Sequence, residues 1–269
     1  MADFYFVVYC VCFGVVGLCV GSFLNVVVYR LPLGMSLAKP GSHCTVCNHP
    51  LSWKDNIPLF SFLFLRAKCR YCKAPISPRY FLVELCNCVM WLICAFVWAR
   101  QNVVFALLSA LAISVLLTIA LCDADNMFIP DSLQIALGII AVVCVFFDTT
   151  TPWREKIWGF VVGSGFLMFF YVLCFPLFGR EGLGIGDIKL SAASGLLLGW
   201  KNMCVAFAVC ILLALIGIFV RKISLRKFQN DLPLAEGDEF PFGPYIVLGV
   251  TTAMFFGSTL AGWYANLLT

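Results

Sequence analysis

An all-α polytopic membrane protein with about eight transmembrane helices and one sizeable loop domain is the fold class this sequence predicts, and three observations carry the prediction. Hydrophobic residues make up 62% of the 269 residues and charged residues 12%, against about 25% charged in an ordinary soluble domain. The mean hydropathy is +0.98. Apolar runs recur at 4–29, 81–99, 103–122, 132–148, 157–178, 203–220 and 243–265, mostly near the roughly 17–25 residues that cross a bilayer as a helix. A shorter run at 188–200 raises the count to eight. A soluble fold of this length could bury a large core but would still need a charged surface, which this chain lacks.

The elements follow in chain order. The first run has no basic segment before it, only Asp3 being charged, and no small-residue cleavage site after it; it reads as a retained span rather than a signal peptide. The division predicted is a first transmembrane helix over 1–29, a loop domain over 30–80 and a membrane core of about seven helices over 81–269. Arg100, Gln101 and Asn102 join the second and third spans as a tight hairpin. Orientation comes from the basic residues. Arg30, Lys39, Lys54, Arg66, Lys68, Arg70, Lys73 and Arg79 oppose only Asp55 in the first loop, which is therefore expected in the cytoplasm. Alternation puts both termini outside. The segments around Asp123–Asp131 and Arg180–Asp187, and the cluster Arg221, Lys222, Arg226 and Lys227, then fall inside. The count of eight keeps that last cluster inside; seven would expel it. No repeat or low-complexity tract is evident, and the modest net charge of +4 matters by its placement. The expected surroundings are a lipid bilayer, and no nucleic-acid partner is expected.

The loop domain of about fifty residues is too small to be held by an apolar core alone. Cys44, Cys47, Cys69 and Cys72 form two C-x2-C pairs separated by 21 residues, the pattern of a zinc knuckle with four thiolates on one tetrahedral metal. A reducing compartment disfavours disulfides there, and Lys68 and Arg70 beside the second pair are expected to favour thiolates. A closed four-sulfur shell makes the zinc structural. His43 and His49 flank the first pair as rival ligands; with no other histidine in the chain, histidine acid–base chemistry is not expected elsewhere. The remaining cysteines lie mostly in spans and read as small apolar packing residues.

Carboxylates at membrane depth are expensive and therefore point to function. Asp123 closes the third span and Asp187 opens the short sixth one, on the same side of the membrane although 64 residues apart. Two carboxylates brought together share a proton and titrate as a unit. One can take a proton from water while the other polarises a peptide carbonyl, which is aspartic-protease chemistry. Gly184 and Gly186 let the chain bend and approach a substrate backbone, with Gly179 and Gly182 adding pliability. The bland reading of Asp187 is a helix cap. Asp125 is a lining candidate, and Asp131 after Pro130 can cap the fourth span. Glu84 and Asn25 are polar residues inside spans, either packing contacts or site lining. Lys189 can snorkel to the interface or tune the pair.

Taken together, GSFLNVVVYRLP at 21–32, the two cysteine pairs, DNIPLFSFLFLRAKCRYCKAPISPRYFLVE at 55–84, CDADNMFIPD at 122–131, REGLGIGDIKL at 180–190 and PFGPY at 241–245 resemble the bacterial prepilin peptidases. These are membrane aspartic peptidases that process type IV prepilins and type II secretion pseudopilins. The resemblance covers nearly the whole chain. It implies Asp123 and Asp187 as the catalytic pair, with the 81–269 region as the peptidase core. It also implies inner-membrane location, single-span precursor substrates with a short basic leader, and methylation of the new N-terminal residue with S-adenosylmethionine. No Rossmann-like glycine loop marks the methyl-donor site, whose location is open; the cytoplasmic loop and Glu84 are where it would be sought. Thr45-Val46 stands where the family usually has a proline, and Cys122 where isoleucine is common. The alternatives are a peptidase without methyltransferase activity, an ion or metal transporter using buried aspartates, and a non-catalytic scaffold. Transport expects charges at midspan and broken helices, whereas Asp123 and Asp187 sit at span ends.

Overall fold

The computed structural model describes residues 2–178, 184–228 and 241–268. Gly179 and Gly182, expected to loosen the approach to Asp187, lie outside the described residues, as does Arg180. Among the described residues nine helices run in order: α1 Ala2–Arg30, α2 Phe60–Phe64, α3 Pro78–Trp98, α4 Val103–Asn126, α5 Asp131–Phe147, α6 Trp153–Phe178, α7 Ile185–Leu198, α8 Trp200–Phe228 and α9 Gly243–Leu268, with one 3-10 turn at Trp53–Asp55. Among the described residues there is no strand. Six helices, α1, α3, α4, α6, α8 and α9, are long and apolar enough to cross a membrane. The 17-residue α5 and the 14-residue α7 complete the predicted set of eight. The chain is thus a multi-pass, all-α membrane protein.

The starts and stops have local causes. Ser77 caps α3, its hydroxyl accepting from the Arg79 N–H at 3.3 Å, and Pro78 takes the first helical position, where its missing N–H removes nothing. The α7–α8 junction differs from the expected loop near Lys201. Gly199 alone separates the two helices at φ +80°, a left-handed conformation that glycine adopts without a Cβ penalty. Lys201 is thereby inside α8, paired with Glu155 at 2.9 Å.

The chain forms two compact units, Met1–Thr118 and Ile119–Thr269, divided within α4. In the first unit α1 and α3 run antiparallel along a glycine seam. A Cβ at Gly17 would come within 2.8 Å of Trp91 Cβ, and one at Gly21 within 2.9 Å of Glu84 Cα. The buried Asn87 ties the pair by donating to the Gly17 carbonyl at 2.7 Å while accepting from the Ser114 hydroxyl at 2.8 Å. An amide at this depth must be bonded internally because lipid offers no partner.

In the second unit α7 packs against α5, α6, α8 and α9, and every residue from Leu190 to Gly195 is buried. Its small side chains permit this. A Cβ added at Gly159 of α6 would land on the Gly195 carbonyl oxygen, and one at Gly163 on that of Ser191. Helices that gain little from hydrophobicity in lipid gain from such close backbone approach. A fully buried Lys156 is held by Asp148 at 2.8 Å and donates to the Leu197 carbonyl at 3.3 Å, closing the far end of the same packing.

Gly159→Leu should therefore separate α6 from α7, at an expected cost of about 3 kcal/mol. Gly165→Ala meets open space and should be neutral or add up to ~1 kcal/mol. Unfolding midpoints of the purified variants check the contrast; equal midpoints would contradict the packing described.

Candidate functional site

Asp123 lies in the last turn of α4 and Asp187 in the first turn of α7, both in the second unit and both buried, at 7% and 8% exposure. Asp123 Oδ2 accepts from the Gly243 N–H at 2.9 Å, and Gly243 is the first residue of α9. Asp187 Oδ2 accepts from the Gly184 N–H at 3.3 Å. Gly184 is the N-cap of α7 and Asp187 its third residue, so the aspartate supplies the back-reaching half of a capping box; glycine has no side chain to supply the other half. Asp187 is thus not the N-cap that a plain capping interpretation makes it, but it does bond the N-cap backbone from the third position. Capping does not account for the second buried carboxylate, Asp123. Oδ1 of each residue accepts nothing from the described residues and remains for water or substrate. The N-terminal ends of α7 and α9 bring positive dipole character to both acids.

The surrounding residues sort themselves by distance. Gly184 has φ −75°, a conformation open to any residue. Gly186 is closely approached, since a Cβ there would come within 3.3 Å of both Gln134 Nε2 and Ile129 Cβ and one of them would have to give by a few tenths of an ångström. Lys189 pairs with Asp131 at 2.7 Å, which engages it away from the buried pair. Asp131 is the first residue of α5 and makes no side-chain cap bond; Asp125 is exposed. Two neighbours were not singled out from sequence. Gly243 sits so close that a Cβ would come within 2.7 Å of Asp123 Oδ2. The buried Gln134 donates to the Gly186 carbonyl at 3.3 Å, and its Oε1 has no partner among the described residues. The argument that polar groups in apolar spans are expensive, applied to Glu84 and Asn25, would have found Gln134. Nothing local in PFGPY shows that its glycine faces an aspartate 120 residues away.

The first unit holds a separate site. The Sγ atoms of Cys44, Cys47, Cys69 and Cys72 lie within 4.8 Å of one another, with Cys44 and Cys72 at 3.8 Å. Tetrahedral zinc with bonds of about 2.3 Å gives sulfur–sulfur edges of about 3.8 Å. The thiols fit a single metal, and no disulfide joins described cysteines. The two knuckles repeat one another, a short repeat that was not evident from sequence. In each, the first cysteine's N–H bonds a carbonyl five residues on, Cys44 to His49 at 3.0 Å and Cys69 to Ala74 at 2.8 Å. In each, the fourth residue after it has positive φ, Asn48 at 57° and Lys73 at 62°, and a bridge closes to a proline, His43 to Pro50 and Lys68 to Pro75. The turn survives Thr45-Val46 without the usual proline.

Backbone N–H groups of Cys47 and then Val46 pull the Cys44 thiol down to about 6. The main chain, rather than Lys68 or Arg70, therefore favours its thiolate. Arg70 is engaged elsewhere, its Nε bonding the buried Asp55 at 2.6 Å. His43 bonds the Gly41 carbonyl at 3.0 Å, and His49 stacks on Tyr71 at 3.6 Å; the metal-competent cluster comprises the four cysteines. Glu84 and Asn25 line a cavity in this same unit. Glu84 accepts from the Leu59 N–H at 2.8 Å, and Asn25 donates to the Tyr80 carbonyl at 3.2 Å.

Comparison with known proteins agrees with this architecture. The description "Bacterial Peptidase A24 N-terminal domain" matches residues 15–98, and "Type IV leader peptidase family" matches residues 110–219. A prepilin leader peptidase/N-methyltransferase of Aeromonas hydrophila is 33% identical over 92% of this chain and 90% of its own length. One from Klebsiella pneumoniae is 39% identical over 70% of this chain and 84% of its length. One from Myxococcus xanthus is 41% identical over 70% of this chain and 56% of its length. No solved structure matches the chain.

The Asp55–Arg70 contact predicts a defined acid sensitivity. The Ser52 hydroxyl first, at 2.7 Å, and then Arg70 hold the Asp55 carboxyl below its ordinary value of 3.8. A carboxyl depressed on folding stabilises fully above 3.8 and loses that contribution only as pH falls through the lower folded value. The contact should hold unchanged between pH 7 and about 5. Asp55→Asn should loosen it wherever Asp55 is ionised, at neutral pH by about 1–2 kcal/mol given the half-exposed arginine. Hydrogen exchange across 52–71 measures both. Equal protection in Asp55→Asn at pH 7 would show that the contact holds nothing.

Proposed function

The chain belongs to the type IV leader peptidase family, and on that premise we propose that it cleaves the short basic leader of type IV prepilins or type II secretion pseudopilins and N-methylates the residue so exposed. The observation that carries the peptidase reading is the pair of buried carboxylates on α4 and α7, each with one oxygen already bonded to a backbone N–H and one left over. With one proton shared between them, the ionised acid takes a proton from water as its oxygen attacks the scissile carbonyl carbon. The protonated acid gives its proton to the carbonyl oxygen. Collapse of the tetrahedral intermediate returns a proton to the leaving amine and regenerates the pair. Gly184 and Gly186 line the approach, with Asp125 and the Lys189–Asp131 pair at its rim. Gly243 and Gln134 act as positioning residues, one through Asp123 and the other through the Gly186 carbonyl.

The precursors are single-span chains in the inner membrane, basic before the cut and apolar after it. The basic residues of the 30–79 loop orient that loop and the acids toward the cytoplasm. This places the scissile bond at a water-accessible mouth. Cys44, Cys47, Cys69 and Cys72 hold one structural zinc, whose closed shell leaves no coordination position for substrate. Bound S-adenosylmethionine supplies the methyl group for the amine that cleavage exposes.

Asp123→Asn and Asp187→Asn should each lower leader cleavage by about 10³-fold or more, while Asp125→Asn and Asp131→Asn lower it far less. Gly243→Ala should also impair cleavage, because its Cβ displaces the Asp123 carboxylate. Cleavage followed by gel shift in membranes with equal enzyme checks all five. Near-normal cleavage by either Asp123→Asn or Asp187→Asn would refute the pairing. Zinc should be present at one equivalent in metal-clean protein, as measured by elemental analysis. Cys69→Ser should lower it and destabilise the loop without changing which bond is cut. A folded, active enzyme devoid of zinc would overturn the metal assignment.

A further inference from the structure

A helix packed through glycines is easy to slide. Gly159 and Gly163 of α6 meet Gly195 and Ser191 of α7, two contacts four residues apart on each helix. Moved by one turn, about 5.4 Å, Gly163 would face Gly195 and Gly159 would face Gly199, contacts as small as those they replace. Packed helices do step past one another by single turns. The seam brings α6 and α7 close but does not by itself choose their register. The choice matters because Asp187 stands in the first turn of α7, and a misplacement of ~1 Å at a reacting group can cost about 10²-fold in rate.

The far end of α7 carries a contact that fits one register. Lys156, near the start of α6, is fully buried. It donates to the carbonyl of Leu197, the next-to-last residue of α7, at 3.3 Å. Within a helix only the last four carbonyls lack an intrahelical partner, so Lys156 finds a free acceptor at the end of α7 and not along its length. A cation there also complements the negative end of the helix. The second partner is Asp148 at 2.8 Å, with its side chain 4% exposed. Asp148 is the C-cap of α5 and is itself fixed. Its Oδ1 accepts from the Thr150 N–H at 2.8 Å, the Thr150 hydroxyl at 2.6 Å and the Thr151 N–H at 3.3 Å. The ends of three helices thus meet at one ammonium group. At the other end of α5, Gln134 bonds the Gly186 carbonyl, so α5 and α7 run in the same direction and are joined at both ends. The Lys201–Glu155 pair is partly exposed, and such a pair contributes little.

A buried ion pair is a poor source of stability, because desolvating both charges consumes most of their attraction. Its best-attested use is to specify one register among several. We infer that Lys156, held by Asp148, is a positioning residue for leader cleavage: it sets the register of α7 that carries Asp187 to its working place. Leu197 and Asp187 are ten residues apart, roughly 15 Å along the helix. The inference rests on the acid-pair reading and adds to it a residue at the opposite end of the same helix.

The test compares full-length enzymes in detergent on a precursor peptide with a basic leader and an apolar span. It measures kcat and KM separately and follows folding by the unfolding midpoint. Asp148→Asn combined with Lys156→Met removes both charges, so no lone charge is left buried. This double variant should keep a cooperative unfolding transition and its KM, and lose roughly tenfold or more in kcat. Lys156→Arg keeps the charge and its donors and should retain most of kcat. A double variant with unchanged kcat would overturn the inference, as would a rise in KM alone. Failure of the double variant to fold would also overturn it, by making the pair a requirement of the fold rather than of the register. So would Lys156→Arg falling as far as the double variant. Asp187→Asn is the control on the underlying reading. If it cleaves normally, the acid pair fails and this inference with it; an inactive Asp187→Asn beside a fully active double variant refutes the positioning role alone.

Discussion

Backbone-to-backbone contact between α6 and α7, at Gly159 against Gly195 and Gly163 against Ser191, is the constraint on which the second unit depends. In lipid an apolar side chain gains nothing by leaving one neighbour for another, so helices associate where their surfaces fit most closely. Small residues on α7 let four helices surround it. A helix so enclosed has no need of lipid-facing bulk, which explains why it is short and rich in Ala, Ser and Gly. Its first turn is therefore a protected place for a carboxylate. The Gly184 N–H and the helix dipole there offset part of the penalty of burying Asp187.

The first unit solves a different problem. A loop of about fifty residues cannot close on an apolar core, and its stability is distributed among short, specific contacts. Four thiols gathered around one point draw two knuckles together. Asp55 joins the turn at Trp53–Asp55 to the second knuckle through Arg70. Glu84 reaches from α3 to fasten Leu59. The knuckles shape the cavity as well as the loop, because Cys44 and Cys69 line it.

Much was readable in the linear order because it depends on composition and short spacing. Apolar length identified the spans, and the C-x2-C pairs identified the metal cluster, since a knuckle is a local turn whose ligands are set by neighbours three residues apart. Asp123 and Asp187 stood out because a carboxylate at the end of an apolar run needs a reason to be there. The repeat in the knuckles escaped notice for the opposite reason. Beyond C-x2-C-x2-P and the serines Ser52 and Ser77 two residues after each proline, the two stretches share little side-chain identity, and most of their likeness resides in backbone hydrogen bonds and positive φ.

The sequence by itself determined a helical membrane protein, the four thiols that cluster and the two acids worth testing, because these follow from residue type and periodicity. Tertiary structure alone decided what meets those groups. Gly243 donating to Asp123 across 120 residues, Gln134 bonding Gly186, Lys189 turned to Asp131 and Glu84 facing a cavity beside the knuckles are contacts between distant segments. Their geometry depends on how closely helices can approach, and that is set by the shape of both surfaces at once.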